Sequence, residues 1–425
     1  MNTEKRDTNR KLIIIGGGFA GINLAKRLSK NKSINIILVD SNNYNFFKPL
    51  IYQVATGFLE PSSISYPFRK LFDKDNVTFR LGSLLRIDSD NHKIYLDNGN
   101  LDYDYLVLAT GCETNYFNNK DMESKVIPMN NVNDAILMRN RLLEGLVQAC
   151  ITEDAIIRKK LLTTIIVGGG PTGVEVSGVI AELRKSMIQK DYPEIADSMG
   201  DVYLIHGGSA LLAQMSIKSH EDSFAALTKL GVKVLLNTVV DTYDGERAIL
   251  STGEIIASKN VIWAAGIIAK TFDGIPASCI GRANRMIVDS YNRVIGLADV
   301  YAIGDTCIQS EDPQFPSGHP QLAQVAIQQG KTLGKNISAL VNDSTLTPFR
   351  YNDKGTMAII GRKNAVTDLT FLSLHFRGFT ALFIWLFVHI MSLINYRNKL
   401  KTLYNWTQAY LTGDESLRMI IRPKQ

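Results

Sequence analysis

Short runs of apolar residues recur between residues 12 and 307, and most of them end in glycine or another small residue. Runs of this length and composition predict buried strands, and segments with helical spacing lie between several of them. This alternation is typical of parallel sheets that carry helices on their faces, so we predict an α/β fold. The predicted strands are residues 12–15, 34–40, 103–111, 165–167, 202–206, 260–266 and 300–307.

Two of these strands lead into the same glycine pattern, in LIIIGGGFAG from residue 12 and in IIVGGGPTG from residue 165. Between a strand and a helix, such glycines permit a tight turn and let the backbone approach a pyrophosphate, whose charge then lies at the helix N-terminus. One copy is weak evidence, but two copies predict one flavin and one nicotinamide nucleotide. The residues concerned are Gly16, Gly18 and Gly21 in the first copy and Gly168, Gly170, Pro171, Thr172 and Gly173 in the second.

The strand after each copy ends where an acidic residue commonly binds a ribose. Asp40 ends the first of these strands and is predicted to accept hydrogen bonds from the ribose of the flavin nucleotide. His206 stands at the matching position of the second copy, after a longer connection between helix and strand. A histidine neither accepts like a carboxylate nor repels a 2′-phosphate. The sequence therefore leaves the choice between NADH and NADPH open.

Other strand ends supply small or acidic residues, and ligands of doubly wound folds bind at strand ends. In VYAIGDTC, Gly304 and Asp305 follow the apolar run, and Asp305 is suited to bind the flavin ribityl hydroxyls. Small-residue turns end two more strands and are expected at the crossings between domains. They consist of Ala109, Thr110 and Gly111, and of Ala265 and Gly266.

These elements predict two Rossmann-like domains, one inserted into the other. An FAD-binding domain is expected at residues 8–120 and 285–345, and an NAD(H)-binding domain at residues 121–284. Residues 346–425 are expected to form a C-terminal, amphipathic, helical membrane-anchoring region.

The composition excludes several classes of protein. A chain of 425 residues with 45% hydrophobic and 21% charged residues is ordinary for a globular protein of two or three domains. Its first ten residues have no apolar stretch, so a secretory signal is not expected. The four cysteines form no CxxC or CxxxxC pair, which argues against a redox-active disulfide and against a metal site.

Basic and apolar residues are concentrated together near the C-terminus. Residues 377–425 contain seven Lys or Arg against two acidic residues, and residues 378–396 contain no charge. This arrangement suits an anionic membrane surface, whereas a nucleic-acid motif is missing from the sequence. We favour a monotopic helix pair over a transmembrane helix or a buried helix, and the segment's length leaves all three open. The expected apolar stripe is Phe379, Leu382, Phe383, Leu386 and Ile390, with Lys399 and Lys401 at the lipid headgroups and Trp385 and Trp406 suited to the interface.

Several longer segments resemble the type II NADH dehydrogenases over nearly the whole chain. They are residues 44–69 with KPLIYQVATG, the two glycine motifs, AIGD at 302–305, AQVAIQQG at 323–330 and YNDKGTMAIIGRKNAV at 351–366. The resemblance implies that a hydride passes from NADH to FAD and that two electrons then pass to a membrane quinone without proton pumping. The flavin would supply the redox chemistry and the protein would orient the reactants.

The resemblance also implies site residues. The flavin ring would lie near Pro49, Gln53 and Thr56, in an apolar segment that ends in small residues. Glu175, in the first turn of the second glycine-motif helix, would relay protons to the quinone, although its position also suits a helix-dipole carboxylate. Gln324 and Gln328 are four residues apart, so both amides would face one side of a helix and donate to a quinone carbonyl.

The sequence is also compatible with two other functions. A sulfide:quinone oxidoreductase would need cysteines beside the flavin, for which Cys112, Cys150 and Cys307 are the candidates. A redox sensor would bind both nucleotides without useful turnover. Peripheral attachment to the cytoplasmic face of a bacterial inner membrane is expected, and a homodimer is possible. His206 and Cys112 depart from the pattern of the resembled family.

Overall fold

The computed structural model describes residues 9–73, 75–412 and 419–421. The chain divides into two compact units. The first unit comprises the described parts of Met1–Phe46, Tyr66–Glu113 and Ile267–Asp353. The second unit comprises the described parts of Phe47–Ser65, Thr114–Gly266 and Lys354–Gln425.

The α-helices are named here in chain order. They are α1 Phe19–Leu28, α2 Ile51–Ala55, α3 Pro61–Ile64, α4 Phe68–Leu71, α5 Lys120–Lys125, α6 Val132–Ile151, α7 Ala155–Leu162, α8 Pro171–Asp191, α9 Ile217–Leu230, α10 Ala323–Val341, α11 Gly378–Ser392 and α12 Tyr396–Thr412.

The strands are named in the same way. They are β1 Arg10–Ile15, β2 Ile34–Asp40, β3 Tyr44–Phe46, β4 Ser65–Pro67, β5 Val77–Leu81, β6 Leu84–Asp88, β7 Lys93–Leu96, β8 Gly99–Asp102, β9 Tyr105–Leu108, β10 Cys112–Thr114, β11 Ile127–Pro128, β12 Thr164–Val167, β13 Val202–Ile205, β14 Val232–Leu235, β15 Val240–Tyr243, β16 Arg247–Leu250, β17 Ile255–Ala257, β18 Asn260–Trp263, β19 Ile267–Ala269, β20 Met286–Ile287, β21 Val300–Ala302, β22 Cys307–Ile308, β23 Thr356–Ile360, β24 Asn364–Leu369 and β25 Leu374–Arg377.

The first unit is built on a parallel sheet with the strand order β21-β9-β1-β2-β5. Its central strand β1 is fully buried at Leu12, Ile13 and Ile14, as expected for a strand that is covered on both faces. Helices α1 and α10 pack against each other. Their approach is close because a methyl group at Gly330 would overlap the backbone oxygen of Ala20. The predicted strand, glycine turn, helix and strand of residues 11–40 are confirmed.

The second unit contains another parallel sheet, with the order β11-β18-β12-β13-β14. Strand β12 is buried along its whole length, and α8 follows it directly. The unit also contains the antiparallel sheets β15-β16-β17 and β23-β24-β25. The sequence pattern did not predict β23 to β25, which precede the two C-terminal helices and pack against α8, α9 and α11.

Residues 47–65 and the C-terminal helices both pack within the second unit. Helix α2 contacts α6, and α3 contacts α12. Residues 47–65 fall within the predicted FAD-binding segment 8–120, and the nucleotide-domain boundaries remain a prediction.

The C-terminal helices correct one expectation and show where the two tryptophans lie. Trp385 and Trp406 are buried, with ring centroids 5.8 Å apart. The expected apolar stripe is divided, since Leu382 is buried whereas Phe379 and Phe383 are exposed. Within residues 9–73, 75–412 and 419–421, no helix is both long and apolar enough to cross a membrane.

Candidate functional site

The first glycine motif forms a tight cradle between β1 and α1. Gly16 has a φ of +104°, a backbone conformation that side chains disfavour, and a methyl group there would overlap the carbonyl oxygen of Ala109. A methyl group at Gly21 would overlap the Gly16 oxygen. At Gly18, by contrast, a methyl group would meet no atom of the described residues within 4 Å. The backbone at Gly18 is therefore open to a pyrophosphate at the N-terminus of α1.

The second glycine motif repeats this geometry between β12 and α8. Gly168 has a φ of +120° and lies against the carbonyl of Ala264, and Gly173 lies against the oxygen of Gly168. Within the described part of the chain, a methyl group at Gly170 would again meet no atom within 4 Å. Pro171 occupies the first turn of α8, where its missing N–H costs no hydrogen bond. Each unit thus presents one nucleotide cradle.

Asp40 ends β2 beside the first cradle. One of its carboxylate oxygens, Oδ2, accepts the Gly17 N–H at 2.7 Å, and Oδ1 accepts the Asn42 N–H at 2.8 Å. Burial raises the pKa of Asp40 although these hydrogen bonds lower it. The carboxylate is thereby held against the glycine turn.

His206 follows β13 beside the second cradle. A methyl group at Gly169 would lie 2.6 Å from Cγ of His206, so the imidazole ring lies close to the glycine turn. Burial lowers the pKa of this histidine, although a hydrogen bond with Ala210 raises it. His206 is therefore neutral at pH 7, and it supplies neither a carboxylate for a ribose nor a positive charge for a 2′-phosphate.

Asp305 lies in a short 3₁₀ turn, Gly304–Thr306, after β21. Thr306 Oγ1 lies 3.0 Å from Oγ1 of Thr110, which brings the two predicted strand ends together. The Sγ of Cys112 lies 3.3 Å from Asp305 Oδ2 and donates to it. Sequence reasoning missed Gln329, a buried residue whose Oε1 accepts the Gly304 N–H at 2.6 Å.

Gln324 and Gln328 both belong to α10, as predicted. Gln328 forms a reciprocal pair with the backbone of Asn352. Its Nε2 donates to the Asn352 oxygen at 2.9 Å, and its Oε1 accepts the Asn352 N–H at 3.0 Å. This pairing fixes the orientation of the Gln328 amide and leaves one N–H of Nε2 for another partner.

Pro49, Gln53 and Thr56 lie on a short turn and on α2. Pro49 is in the first turn of the 3₁₀ segment Lys48–Leu50, and Thr56 Oγ1 donates to the Tyr52 carbonyl at 2.9 Å. Gln53 is buried, and its Oε1 accepts the indole N–H of Trp406 at 2.7 Å. Its Nε2 donates to the hydroxyl of Tyr52 at 3.0 Å.

Glu175 is a buried carboxyl in the first turns of α8. Burial raises its pKa to about 8, although the Ile359 N–H at 3.4 Å and the indole of Trp385 both lower it. Nearby, the ring of Trp385 stacks on His389 with centroids 3.8 Å apart. Burial lowers the pKa of His389 to about 4, so this imidazole is neutral at pH 7. The sequence had singled out Glu175 but not its neighbours Ile359 and Trp385.

The four cysteines all lie in the described part of the chain and are free. Burial raises the pKa of Cys307 to about 11, so its thiol is unreactive at neutral pH. Burial also raises the pKa of Cys150. Both shifts disfavour the thiolate that sulfur trapping at Cys150 or Cys307 would need.

Comparison with known proteins identifies the family. Residues 10–330 match the family described as pyridine nucleotide-disulphide oxidoreductase, and residues 354–415 match the NDH2 C-terminal domain. A type II NADH:quinone oxidoreductase of Mycobacterium tuberculosis is 33% identical over 426 residues, which cover 96% of this chain and 90% of the relative. Another, from Haemophilus influenzae, is 30% identical over 394 residues, which cover 85% of this chain and 87% of the relative.

A solved structure, NDH2 from Plasmodium falciparum in complex with NADH, has the same fold. Its TM-score is 0.88 at 20% identity, and the match covers 97% of this chain and 100% of that one. The sequence relatives show the activity as well as the fold. They confirm the predicted NADH:quinone oxidoreductase activity over the sulfide:quinone oxidoreductase and the redox sensor. FAD and NADH are the cofactors of this chain, and a quinone is its electron acceptor. The chain belongs to the type II NADH:quinone oxidoreductases, within the pyridine nucleotide-disulphide oxidoreductase family.

Proposed function

We propose that the Gly16 cradle binds the pyrophosphate of FAD and that the Gly168 cradle binds that of NADH. The observation that carries this assignment is the repeated glycine geometry, with open backbone at Gly18 and Gly170. Asp40 would accept hydrogen bonds from the FAD ribose, and Asp305 from the ribityl chain. FAD held there would supply the redox chemistry that couples the oxidation of NADH to the reduction of the quinone.

The other predicted cofactor residues have supporting roles. Residues 109–111 and 265–266 would line the two nucleotide turns, since Ala109 and Ala264 already lie against the first glycines. Thr172 would bind the second pyrophosphate at the N-terminus of α8, and His206 would lie at the ribose of NADH. Pro49, Gln53 and Thr56 would contact the flavin ring.

Glu175 would hold the proton that the reaction needs beyond the hydride. NADH, one proton and a quinone give NAD⁺ and a quinol, so the protein must deliver that proton to a quinone oxygen. A pKa of about 8 keeps the carboxyl protonated at neutral pH, and its burial keeps it away from bulk water. These two properties support Glu175 as the proton donor.

Gln324 and Gln328 would bind the quinone headgroup on α10. An amide N–H can donate to a quinone carbonyl, and the remaining N–H of Gln328 is oriented by the Asn352 pairing. Ala326 lies between them in the sequence and packs close to Gly304, so α10 passes close to the turn that carries Asp305.

The C-terminal helices would attach the enzyme peripherally to a membrane. Helix α11 exposes Phe379, Phe383 and Phe387, whose side chains are 77%, 64% and 61% accessible and repeat at a spacing of four residues. Exposed aromatic residues in such a row support insertion into a lipid interface. We also propose that the enzyme attaches to the cytoplasmic face of a bacterial inner membrane and that it forms a homodimer.

Alanine variants of the two open glycines test the nucleotide assignment. Gly18→Ala should fold but be purified with less FAD, because the new methyl group takes the space of the pyrophosphate. Gly170→Ala should keep its FAD and show a KM for NADH that is about tenfold higher, a loss comparable to one good hydrogen bond. The opposite pattern, or two variants that behave like the wild type, would refute the assignment.

A further inference from the structure

Helix α12 has a polar buried side. Asn398 and Thr402 are buried, and they donate hydrogen bonds to the backbone oxygens of Ser65 and Ser63 at 3.0 and 3.4 Å. Asn405 Nδ2 donates to the Ser63 hydroxyl at 3.3 Å. Directional hydrogen bonds therefore hold this helix against the segment that includes α2 and α3.

The outer side of α12 exposes apolar side chains among polar ones such as Arg397 and Thr407. Leu400, Leu403 and Tyr404 are all at least half exposed. A helix that follows the usual pattern would bury such residues and expose its amides. On α12, apolar side chains on the outer side can contact lipid, while buried amides hold the helix to the protein through hydrogen bonds.

The last of these inner contacts reaches Gln53. Trp406 Nε1–H donates to Gln53 Oε1 at 2.7 Å, and Gln53 Nε2 donates to the Tyr52 hydroxyl at 3.0 Å. All three side chains are buried. An indole can only donate, so it selects the oxygen of the amide and directs the NH₂ group toward Tyr52. Without the indole N–H, this hydrogen bond would no longer favour the present orientation of the Gln53 amide over the one with its oxygen and nitrogen exchanged.

Tyr52 extends the arrangement toward the proton donor. Burial raises the pKa of its hydroxyl well above the ordinary value, and the charge of Glu175 raises it further. Tyr52 also packs edge-on against Trp385, whose indole lowers the pKa of Glu175. The orientation of the Gln53 amide thus affects the Tyr52 hydroxyl, which interacts electrostatically with the carboxyl that would supply the proton.

We propose that Trp406 is a positioning residue for quinone reduction, acting by fixing the orientation of the Gln53 amide. Through this hydrogen bond, the position of α12 affects the rate of electron transfer to the quinone. The rate of flavin reduction by NADH is unaffected. The inference rests on the proposed role of Gln53 at the flavin ring.

The test is Trp406→Phe in the full-length, FAD-loaded enzyme. This change removes the indole N–H and keeps an aromatic ring beside Trp385. In stopped-flow absorbance, we expect flavin reduction by NADH at the wild-type rate and reoxidation by a water-soluble quinone about tenfold slower, the effect of one buried hydrogen bond. Tyr404→Phe is the matched control, because it alters an aromatic side chain on the outer side of the same helix and should change neither rate.

A double-mutant cycle with Gln53→Leu identifies the partner. If Trp406 acts through Gln53, the double variant should be no slower than Gln53→Leu alone. If Gln53→Leu reoxidises at the wild-type rate, the proposed role of Gln53 is wrong. If Gln53→Leu is slow but Trp406→Phe is not, or if the two effects add, the inference about Trp406 is overturned.

A second substitution guards against a general packing defect. Should Trp406→Phe bind less FAD than the wild type, Trp406→His restores a ring N–H at the same position. Recovery of quinone reduction by Trp406→His supports the inference, and equal defects in the two variants contradict it.

Discussion

Oε1 of Glu175 lies 3.4 Å from the backbone nitrogen of Ile359, so the buried carboxyl of α8 faces strand β23. This long hydrogen bond and the Trp385 indole together stabilise the carboxylate less than burial destabilises it, and the pKa of Glu175 rises to about 8. A carboxyl that is protonated at pH 7 and shielded from water is suited to give a proton to a reduced quinone.

Replacement of Glu175 by Gln should slow quinone reduction at least about tenfold, because an amide cannot release a proton. Flavin reduction by NADH should be unchanged. The wild-type rate should decrease as the pH rises through about 8, since the carboxyl then loses its proton, and this decrease should be missing in Glu175→Gln.

The control for this change is Glu182→Gln. Glu182 lies on the same helix and accepts the backbone N–H of Arg362 at 2.5 Å. This variant should retain both half-reactions. A Glu175→Gln enzyme that reoxidises at the wild-type rate across the pH range would show that the proton comes from elsewhere.

Stability should also depend on Glu175. Its pKa is 4.5 ordinarily and about 8 in the folded protein, so the raised value stabilises the fold fully below pH 4.5. That stabilisation is lost as the pH rises from 4.5 to about 8, because the unfolded chain releases the proton first. The free energy of unfolding of Glu175→Gln minus that of the wild type should therefore be larger at pH 8 than at pH 4.5. The increase should be at least about 1 kcal/mol. Urea denaturation at the two pH values measures this difference, and an equal effect at both would contradict it.

Replacement of His206 by Arg should admit NADPH. The neutral imidazole gives a 2′-phosphate no charge to pair with, whereas a guanidinium binds phosphate through two hydrogen bonds. We expect kcat/KM for NADPH to rise about tenfold in steady-state assays. The NADH rate of the same variant is the internal control, and an unchanged NADPH value would mean that His206 does not lie at the ribose.

Serine at Phe379, Phe383 and Phe387 should release the enzyme from lipid. Each buried aromatic side chain contributes about 1.5–3 kcal/mol, so binding to anionic vesicles should fall at least about 100-fold in a sedimentation assay. Ile151→Ser is the control, because this residue is 80% exposed on α6. Undiminished binding of the triple variant would place the membrane contact elsewhere.

The nucleotide cradles could be predicted because their signal is local. Three glycines between a strand and a helix determine the turn, and Gly16 and Gly168 adopt the same left-handed conformation in both copies. Asp40 is close to its glycines in sequence, so its hydrogen bond to Gly17 was within reach of the pattern.

The C-terminal part was predicted less well because its partners are distant in sequence. Trp406 bonds Gln53 across 353 positions, and a hydrophobic pattern cannot show that an indole in an apolar stretch is directed inward. The pairing of Gln328 with Asn352 is a backbone contact that leaves no mark on the sequence. Strands β23 to β25 were missed for a related reason, since an antiparallel sheet among helices gives only short alternating runs.

The central claim is that electrons pass from NADH through bound FAD to a quinone, and stopped-flow absorbance at the flavin band tests it most directly. Purified enzyme mixed with NADH should bleach, and the absorbance should return when a water-soluble quinone is added. Bleaching without recovery on addition of quinone would contradict the account of the acceptor site, and no bleaching with NADH would contradict the account of the two cradles.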